Sequence, residues 1–383
     1  MGRLGVVVAA ALLSSVMSAV PAVAAEADPG VEPVPVAVVK TPVVSGTART
    51  GSTLRVSPGT YEPAEATTAV LWLRNGVSTG RTGLTYPLTK ADWGDRISAQ
   101  VVASAPDRAD TTAVSNRTAA VRWASLVVTK NPSVSGTRRF GRTLTALGGT
   151  WRGGTPRLAY RWLRDGRAIA GATSRTYRIA PGDVGHRLAF RVRATRALHE
   201  PKVVTASATT TVLHRRDVRK TVTYRVVKNG SSSSSLSTFI KQTAQTYADA
   251  RGWRGAGVRF KRVSKGGSFT LVLAKASRVP SYSSGCSSTY SCRVGRYVII
   301  NETRWRTATP GWKKADRSVR DYRHLVVNHE TGHWFEKNHA GCGGKGKTAP
   351  VMMQQSKGLA GCKANPWPKV SELGLPRYGW KAP

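Results

Sequence analysis

Three histidines and a glutamate near residue 330 have the types and spacing of a metal site. His329-Glu330-Thr331-Gly332-His333 reads H-E-x-x-H, and His339 follows six residues after the second histidine. Histidines four residues apart lie on one helix face, about one turn apart, so both imidazoles can bind a single zinc ion. Glu330 can take the proton of a water on that zinc. The third histidine completes a tripod whose fourth position stays open, as catalytic rather than structural zinc requires.

The surroundings of the motif support this interpretation. Four of the seven histidines lie within residues 324–339, and mostly apolar residues precede the motif. This pattern indicates a buried helix rather than a surface helix with two solvated histidines. His324 lies five residues before His329, off the metal-facing stripe, so we interpret it as an ordinary polar residue or as a support for the ligands.

The motif resembles the signature of the metzincin metallopeptidases, H-E-x-x-H-x-x-G-x-x-H followed by a Met-turn. Residues 349–355, A-P-V-M-M-Q-Q, look like that turn. The resemblance implies that one methionine lies beneath the zinc ligands without bonding to the metal. We assign Met352 to this place because it follows Val351. Met353 is the alternative, and filling of the core is another reason for two adjacent methionines.

The chain departs from the metzincin signature at one position. Glu336 stands where metzincins have the glycine that turns the backbone left-handed and swings the third histidine back to the metal. A residue with a β-carbon costs about 1–2 kcal/mol in that conformation, which is small beside the free energy of binding zinc. Because Asn338 tolerates left-handed geometry better, we expect the helix to run slightly further and break there. His339 remains the predicted third ligand.

A second resemblance extends from about Thr221 to about Glu372. Over this stretch the chain is similar to a secreted actinobacterial family that is catalogued as a domain of unknown function and presumed to depend on zinc. The similar segments are residues 249–253, 301–305, 328–333, 349–355 and 365–368. The resemblance implies a fold and a metal, and it leaves the substrate open.

The first 25 residues have the pattern of a secretory signal peptide. Arg3 provides the charge, residues 4–20 are apolar, and Ala22-Val23-Ala24 fits a cleavage site. A membrane anchor is the alternative, but the apolar run is short and ends at Pro21. No cysteine follows directly for lipid attachment, and no other segment is apolar enough to span a membrane. We therefore expect a mature protein outside the cell, free or associated with the cell wall.

The four cysteines fit an oxidising compartment. Four cysteines allow three pairings. We predict the bonds Cys286–Cys292 and Cys342–Cys362, because each closes a local loop. The second bond would bracket the Met-turn and clamp the glycine- and lysine-rich residues 341–348 beside the metal. Cys342 as a zinc ligand is the alternative, and three histidines already satisfy the site without it.

The chain is strongly basic, with 59 Lys and Arg residues against 20 Asp and Glu residues and a formal net charge of +39. Residues 215–383 hold 32 of the basic and 8 of the acidic residues, so the surplus is densest there. Such a surface attracts polyanions. Outside a cell these are anionic wall polymers, acidic lipids or acidic protein substrates; solubility and an arginine-rich composition are the alternative. We do not expect nucleic acid as a partner, because no motif for binding it accompanies the charge.

The N-terminal half contains an internal repeat. L-W-L-R-N-G at residues 71–76 recurs as R-W-L-R-D-G at residues 161–166, so that Trp162 lies 90 residues after Trp72. Short alternating runs end at Gly, Pro, Asn-Gly or Asp-Gly turns in both copies. This spacing suits a small antiparallel sandwich, and the copies resemble bacterial immunoglobulin-like repeats. We expect the two tryptophans in the cores, and we expect the repeats to act as spacers or adhesion modules.

The sequence therefore predicts a multidomain chain, with two all-β immunoglobulin-like sandwiches followed by an α+β metzincin-like zinc domain. The predicted segments are a signal peptide at 1–25, a disordered Pro- and Ala-rich leader at 26–37, repeats at 38–124 and 125–213, a basic linker at 214–220 and the zinc domain at 221–383.

Inside the zinc domain, the pattern predicts strands around a first helix and then a second helix that carries the motif. The expected strands are residues 221–227, 258–263, 269–274 and 297–301. The first helix is expected from a cap at Ser235 or Ser237 to about Arg251, and the second over residues 320–336. After His339 we expect loops, held by a disulfide and the Met-turn.

These observations favour a secreted zinc metalloendopeptidase. His329, His333 and His339 would hold Zn²⁺ and Glu330 would act as general base on a protein or peptide substrate. No residue is an obvious oxyanion stabiliser, and Tyr378 follows the Met-turn only at a long distance. Two other hypotheses stay open: a wall-binding or adhesion protein with a zinc site and little turnover, and a zinc amidase acting on peptidoglycan peptides. We expect a monomer and see no cysteine-switch propeptide.

Overall fold

The computed structural model describes residues 32–231 and 233–382. The predicted signal peptide at 1–25 and residues 26–31 of the predicted leader lie outside the described residues. The chain divides into two compact units between Ala124 and Ser125, where the second repeat was predicted to begin. The first unit contains the first repeat, and the second contains the second repeat and a C-terminal domain that starts near residue 214.

Both repeats fold as all-β domains built from short antiparallel strands. The strands of the first repeat are β1 (Ala37–Lys40), β2 (Val43–Ser45), β3 (Thr53–Ser57), β4 (Thr60–Glu62), β5 (Thr67–Arg74), β6 (Val77–Thr82), β7 (Thr85–Pro87), β8 (Ile97–Ser104) and β9 (Thr111–Val114). The following strands are β10 (Ala124–Ser125), β11 (Val128–Lys130), β12 (Ser133–Ser135), β13 (Thr143–Leu147), β14 (Thr150–Trp151), β15 (Arg157–Arg164), β16 (Arg167–Ala168), β17 (Thr176–Arg178), β18 (Leu188–Thr195), β19 (His199–Glu200) and β20 (Lys202–Thr205).

The two repeats share one topology. The first has sheets ordered β2-β3-β7 and β6-β5-β8-β9, and the second has β12-β13-β17 and β16-β15-β18-β20. A short antiparallel pair accompanies them in each domain, β1 with β4 and β11 with β14. Equivalent strands thus form equivalent sheets, which agrees with the repeat seen in the sequence.

The predicted core tryptophans are buried. Trp72 and Trp162 are both 0% exposed. Their indole N–H groups donate to the backbone carbonyls of Gly83 at 2.8 Å and Ser174 at 2.9 Å, so each buried polar group is satisfied. The hairpin after each tryptophan turns at Asn75-Gly76 and Asp165-Gly166, with positive φ at all four residues, as a two-residue type I′ loop needs.

Beside each tryptophan lies a buried carboxylate that accepts several hydrogen bonds. In the first repeat Asp92 accepts from Arg74 at 2.6 Å and from the Tyr86 hydroxyl at 2.7 Å. In the second repeat Asp183 accepts from Arg164 at 2.7 Å and from the Tyr177 hydroxyl at 2.8 Å. These networks were not predicted, because their members lie on different elements that only the fold brings together.

The first repeat begins before the predicted boundary at residue 38. Val36 is 2% exposed and its N–H donates to the Ala109 carbonyl at 3.0 Å. Ala37 already belongs to β1. Burial of the apolar Val36 side chain stabilises this segment against the domain. Residues 35–37 therefore belong to the domain rather than to a disordered leader.

The C-terminal domain combines a five-stranded sheet with four helices. Its strands are β21 (Lys220–Asn229), β22 (Val258–Arg262), β23 (Phe269–Ala274), β24 (Cys292–Val294) and β25 (Tyr297–Asn301). Its helices are α1 (Leu236–Ala248), α2 (Glu302–Thr307), α3 (Pro310–Lys314) and α4 (Val319–Trp334). Short 3₁₀ helices in the whole described chain span Lys90–Asp92, Pro181–Asp183, Trp253–Ala256, Ala276–Arg278, Pro280–Tyr282, Val370–Glu372 and Pro376–Tyr378.

The sheet has the order β22-β21-β23-β25-β24. The first four strands in that order are parallel, and only β24 runs antiparallel to its neighbour β25. β23 is buried at every position, as a central strand covered on both faces should be. The four predicted strands and both predicted helices are present to within a few residues, and β24 lies at the sheet edge without having been predicted.

Serine caps begin the two long helices. The Ser235 hydroxyl accepts from the Thr238 N–H at 3.2 Å and starts α1, as predicted. The Ser318 hydroxyl accepts from the Asp321 N–H at 3.0 Å and starts α4. No helix in the described part of the chain is long and apolar enough to cross a membrane.

The predicted linker at 214–220 is folded against its neighbours. Asp217 pairs with Arg139 of the second repeat at 2.8 Å, and the Arg216 carbonyl accepts from Arg254 at 2.9 Å. The Arg219 guanidinium lies 3.8 Å from the ring centroid of Trp380, and Lys220 opens β21. The predicted linker therefore contacts the second repeat through Asp217 and the C-terminal domain through the Arg216 carbonyl and the Arg219 guanidinium.

Candidate metal centre

Helix α4 carries the H-E-x-x-H motif through the interior of the C-terminal domain. It packs against α1, α2, β24 and β25. Most of the residues from Tyr322 to Trp334 are buried, including Leu325, Val327 and Thr331. The expectation of a buried helix is therefore confirmed, and two ligand positions are fixed to a rigid element rather than to a mobile loop.

The three predicted ligands converge. The Nε2 atom of His333 lies 3.2 Å from that of His329 and 3.0 Å from that of His339. Nitrogens that bind one tetrahedral zinc ion at about 2.0–2.1 Å lie ~3.3 Å apart, so the spacing fits a shared zinc ion. Among the described residues this is the one cluster of His, Cys, Asp and Glu groups with metal-ligand proximity.

Backbone carbonyls set the tautomers of the two helical histidines. Nδ1 of His329 lies 2.8 Å from the Val351 carbonyl, and Nδ1 of His333 lies 2.8 Å from the Lys337 carbonyl. A carbonyl can only accept, so each Nδ1 carries the proton and each Nε2 presents a lone pair. Two lone pairs at this distance repel one another unless a cation lies between them. The close approach of these two Nε2 atoms is therefore the strongest sign that the residues fit a metal.

The helix ends one turn before the third ligand, at the position where metzincins have glycine. Glu336 has φ +65° and its N–H donates to the His333 carbonyl at 2.9 Å, while the Lys337 N–H donates to the Gly332 carbonyl at 3.1 Å. The expectation that Asn338 would take the left-handed position is wrong, because these bonds close the helix at Glu336. Glu336 therefore adopts a strained backbone conformation at this position, and His339 lies beside the other two histidines.

Met352 lies directly against helix α4, which carries the H-E-x-x-H motif. It is 1% exposed, and a β-carbon placed on Gly332 would come 2.3 Å from its Sδ atom. Gly332 therefore leaves the space that the methionine fills, between the two helical ligands. Met353 instead packs with Ala349 and Cys362. Of the two methionines, Met352 is the one that packs against Gly332, whereas Met353 lines the cleft; the place of Met352 beneath the ligands stays a prediction.

A buried glutamate fixes the turn that contains this methionine. The carboxylate of Glu372 accepts from the backbone N–H groups of Val351 and Met352, each at 3.0 Å. The Lys369 N–H donates to the same carboxylate at 2.8 Å. The Val351 carbonyl in turn holds His329, so Glu372 positions the ligand through the turn. Acidic residues are rare in this basic domain, and this rarity is the feature of the sequence that could have pointed to Glu372. Glu372 was not predicted as a site residue.

Both predicted disulfides are present. Cys286–Cys292 and Cys342–Cys362 have S–S distances of 2.05 and 2.04 Å. Cys342 is therefore not a free thiolate, and the alternative that it binds zinc is wrong. The first bond closes the loop that leads into β24. The second bond joins the segment before residues 349–355 to the segment after them.

Glu330 is buried beside the histidines without a partner. It is 6% exposed, and its carboxylate has no hydrogen bond or ion pair within residues 32–231 and 233–382. Burial raises its pKa to about 8, and the charge of Arg293 opposes the rise. Burial likewise lowers the pKa of His329 to about 3, with His333 adding to the effect, so these imidazoles are neutral and able to bind a metal.

The ligands and Glu330 lie along a cleft of about 510 Å³. One wall is the loop 285–291 and strand β24, and the other includes helix α4 and residues 353–357 after the Met-turn. Arg293 of β24 donates to the His333 carbonyl at 2.6 Å and so ties the edge strand to the end of the helix. The cleft thus exposes the metal site beside an antiparallel edge strand.

Two residues named from the sequence lie away from the ligands. The His324 Nδ1 lies 2.9 Å from the Thr246 hydroxyl, and its ring packs on Trp367 at 4.4 Å, so it is a core residue. Tyr378 packs against Phe335 and Trp380 and does not line the cleft. Arg293, Tyr290 and Lys357 do line it and were missed, because only the fold brings β24 and the loop after the Met-turn together.

Comparisons with known proteins cover the chain unevenly. A family model described as a protein of unknown function (DUF3152) matches residues 202–368, less than half of the chain. This match includes the H-E-x-x-H motif, His339, Met352 and all four cysteines. No curated protein matches the chain.

Solved structures match this chain with low sequence identity and low TM-scores. Three N-terminal domains of the outer capsid protein Hoc of bacteriophage RB49 are 15% identical over 51% of this chain and 65% of that one, with a TM-score of 0.22. A Ca²⁺-stabilized ice-binding adhesin from an Antarctic bacterium is 12% identical over 61% and 59%, with a TM-score of 0.26. The tandem Ig repeats of Dlar are 14% identical over 45% and 96%, with a TM-score of 0.15. The chain spans less than two thirds of the length of the first two, and TM-scores below 0.5 do not establish a shared fold.

Proposed function

We propose that this protein is a secreted zinc metalloendopeptidase with a metzincin-like C-terminal domain. The observation that carries the proposal is the pair of imidazoles of His329 and His333, whose lone pairs face each other at 3.2 Å while His339 closes the tripod. The unpartnered, buried Glu330 beside them is what a hydrolase needs and a purely structural zinc site does not.

Zinc held by the three histidines would polarise the scissile carbonyl and bring the pKa of a water to about 7. Glu330 would take a proton from the water whose oxygen attacks the scissile carbonyl carbon, and would pass that proton to the amine nitrogen as the C–N bond breaks. Burial raises the pKa of Glu330, and the positive charge of a bound zinc ion would favour the carboxylate form that a general base needs. Arg293 keeps the edge strand and the helix end together, so the geometry persists through the reaction.

Strand β24 supports a peptide as the substrate. It pairs with β25 on one side only, at Cys292–Ile299, Arg293–Val298 and Val294–Tyr297, and it is the last strand in the sheet. An extended peptide can add to such an edge through backbone hydrogen bonds, which places a carbonyl along the cleft. The disulfide Cys286–Cys292 fixes the loop that leads into the strand, so the docking edge is formed before substrate arrives.

The two all-β domains support a role outside the cell. We propose that they are immunoglobulin-like spacers that hold the peptidase away from the cell surface or attach it to anionic wall polymers. The two disulfides agree with an oxidising compartment. No side chain of these domains forms a site like that of the C-terminal domain within the described residues.

Cleavage of a peptide library and of casein by the full secreted chain tests the proposal. We expect cleavage that stops with a chelator and returns with zinc. The variant Glu330→Gln should keep its zinc and lose turnover.

Two other outcomes would overturn the proposal. Stoichiometric zinc with no cleavage of any peptide or protein, together with binding to purified cell wall, would identify a wall-binding protein. Digestion of purified wall without cleavage of casein would identify a zinc amidase.

A further inference from the structure

The cleft beside the histidines is basic and contains one carboxylate. Of its described lining residues only Glu330 is acidic, whereas Arg293 and Lys357 are cationic. The two cations lie on different elements, Arg293 on β24 and Lys357 on the loop after the Met-turn. The cleft beside the histidines is therefore lined by cations from two separate elements.

Lys357 reaches across the cleft mouth. Its Nζ lies 5.8 Å from the ring centroid of Tyr290 on the opposite wall. Lys357 and His339 both line the cleft. Lys357 is exposed and forms no ion pair with any described residue. Its charge is therefore available to a ligand, since a ring at this distance does not neutralise it.

Arg293 is anchored but not neutralised. One of its N–H groups donates to the His333 carbonyl, and a guanidinium has five N–H groups. Its charge acts on Glu330, which is buried. No described carboxylate forms an ion pair with Arg293. The remaining N–H groups can hold an anion that lies along the edge strand.

We propose that the cleft selects peptides with an acidic side chain near the scissile bond, bound by Lys357 and supported by Arg293. This proposal rests on the proposed peptidase function and names its substrate class. Basic residues are also numerous elsewhere on the chain. The cleft differs because low-dielectric walls concentrate the field of two unpaired cations beside the reacting bond.

Matched peptides test this selection on the full chain loaded with zinc. Each pair differs only by Glu against Gln at one position within three residues of the scissile bond. We expect at least one position at which Glu raises kcat/KM by about tenfold over Gln, the size of one ionic hydrogen bond at a part-exposed site. Lys357→Met should remove that preference, and Lys357→Glu should reverse it in favour of a Lys-containing peptide.

Lys241→Glu is the control, because it makes the same change of charge at an exposed position of α1. It should leave the preference unchanged. Equal cleavage of the Glu and Gln peptides at every position would overturn the proposal and leave the peptidase function intact. A preference that Lys241→Glu removes as completely as Lys357→Glu would also overturn it, since net charge would then be the cause.

Binding gives a readout that does not need turnover. We expect the zinc-loaded Glu330→Gln chain to bind the Glu peptide about tenfold more tightly than the Gln peptide, and the added Lys357→Met change to abolish the difference. If no peptide is cleaved but this difference is found, the peptidase proposal fails together with selection beside a scissile bond, and only the binding of acidic peptides by Lys357 stands. If neither is found, both fail.

Discussion

Asp92 in the first repeat and Glu330 in the C-terminal domain are both buried carboxylates, with 0% and 6% of their surface exposed. Burial raises the pKa of Asp92, but hydrogen bonds from Thr89, Tyr86 and Arg74 outweigh it and hold the pKa below its ordinary value. Glu330 has no such bonds, and burial raises its pKa to about 8. A buried carboxylate whose oxygens accept several hydrogen bonds stabilises the fold. A buried carboxylate without such bonds destabilises the fold, and it is expected where a reaction needs a proton donor or acceptor.

Left-handed backbone conformations occur in both regions. The repeats place left-handed residues at Asn75-Gly76 and Asp165-Gly166, whose types tolerate positive φ. The C-terminal domain places Glu336 in that conformation, directly before the third ligand. Leu198 of the second repeat, with φ +60°, and Ala308 and Ala360 of the C-terminal domain also adopt positive φ, so residues that disfavour this conformation occur in both regions.

The sharpest test of the contrast is Glu330→Gln. We expect turnover to fall by about 10³-fold, because the general base is lost, while zinc binding persists and the free energy of unfolding does not fall. Steady-state kinetics, metal content and denaturant unfolding measure the three quantities. Glu200→Gln, at an exposed position of the second repeat, is the matched control and should change none of them. Full activity in Glu330→Gln would remove the glutamate from the mechanism.

Asp92→Asn tests the opposite side of the contrast. We expect it to lower the free energy of unfolding of the first repeat by about 2 kcal/mol at pH 7, because Arg74 and the buried hydroxyls lose their anion. The folded pKa of Asp92 is below its ordinary value, so the charge stabilises the fold above about pH 4 and this stability is lost as the pH falls through the lowered pKa. Wild type and variant should therefore converge in acid.

Denaturant unfolding of the full chain, followed by tryptophan fluorescence, measures the difference in free energy of unfolding between wild type and variant from pH 2 to pH 7. A shift of one pKa unit corresponds to about 1.4 kcal/mol of that free energy. Asp110→Asn, at an exposed position of the same repeat, should have no effect. Curves for Asp92→Asn that run parallel to wild type at every pH would show that the carboxylate charge contributes nothing. Turnover should be unchanged in both variants.

Gly332→Ala tests the packing of Met352 beneath the ligands. The new β-carbon would lie 2.3 Å from Met352 Sδ and 3.0 Å from Trp253 Cζ2, so we expect a cost of about 1–2 kcal/mol and weaker zinc binding. Met352→Ala in the same chain should restore part of the zinc affinity lost, which a double-mutant cycle measures. Gly311→Ala in α3 is the control, because nothing lies within 4 Å of its new β-carbon. Additive effects at the two sites would contradict the packing.

Glu336 gives the smallest expected effect. Its side chain pairs with Arg377 at 3.3 Å and its backbone has φ +65°. We expect Glu336→Gly to be more stable than Glu336→Ala by about 1 kcal/mol, because both lose the ion pair and only alanine keeps the strain of a β-carbon. Thermal unfolding measures the difference. An alanine variant as stable as the glycine variant would show that the position is unstrained.

Local patterns in the sequence predicted the parts of the centre that lie close together along the chain. The helical ligands and Glu330 follow from a four-residue spacing, and β23 and β25 follow from short apolar runs bounded by turn residues. The repeats were visible because two copies of one pattern reinforce each other. Disulfide pairing followed from short loops that can close without distortion.

The rest depends on distant parts of the chain. β24 has three residues, too few for a strand pattern, and exists because it pairs with β25. Arg293, Glu372 and Lys357 acquire their roles through contacts with residues on other elements, and single-residue preferences carry no such information. The left-handed Glu336 opposes its own preference, so local reasoning moved the break to Asn338, whereas the closing hydrogen bonds fix it at Glu336.

Metal content and coordination of the purified full chain test the central claim most directly. We expect one zinc ion per chain, with X-ray absorption showing three imidazole nitrogens and one oxygen at about 2.0–2.1 Å. His333→Ala should lose the metal, and Glu330→Gln should keep it. A chain without stoichiometric metal after zinc loading, or a zinc ion whose four ligands leave no place for water, would contradict the account.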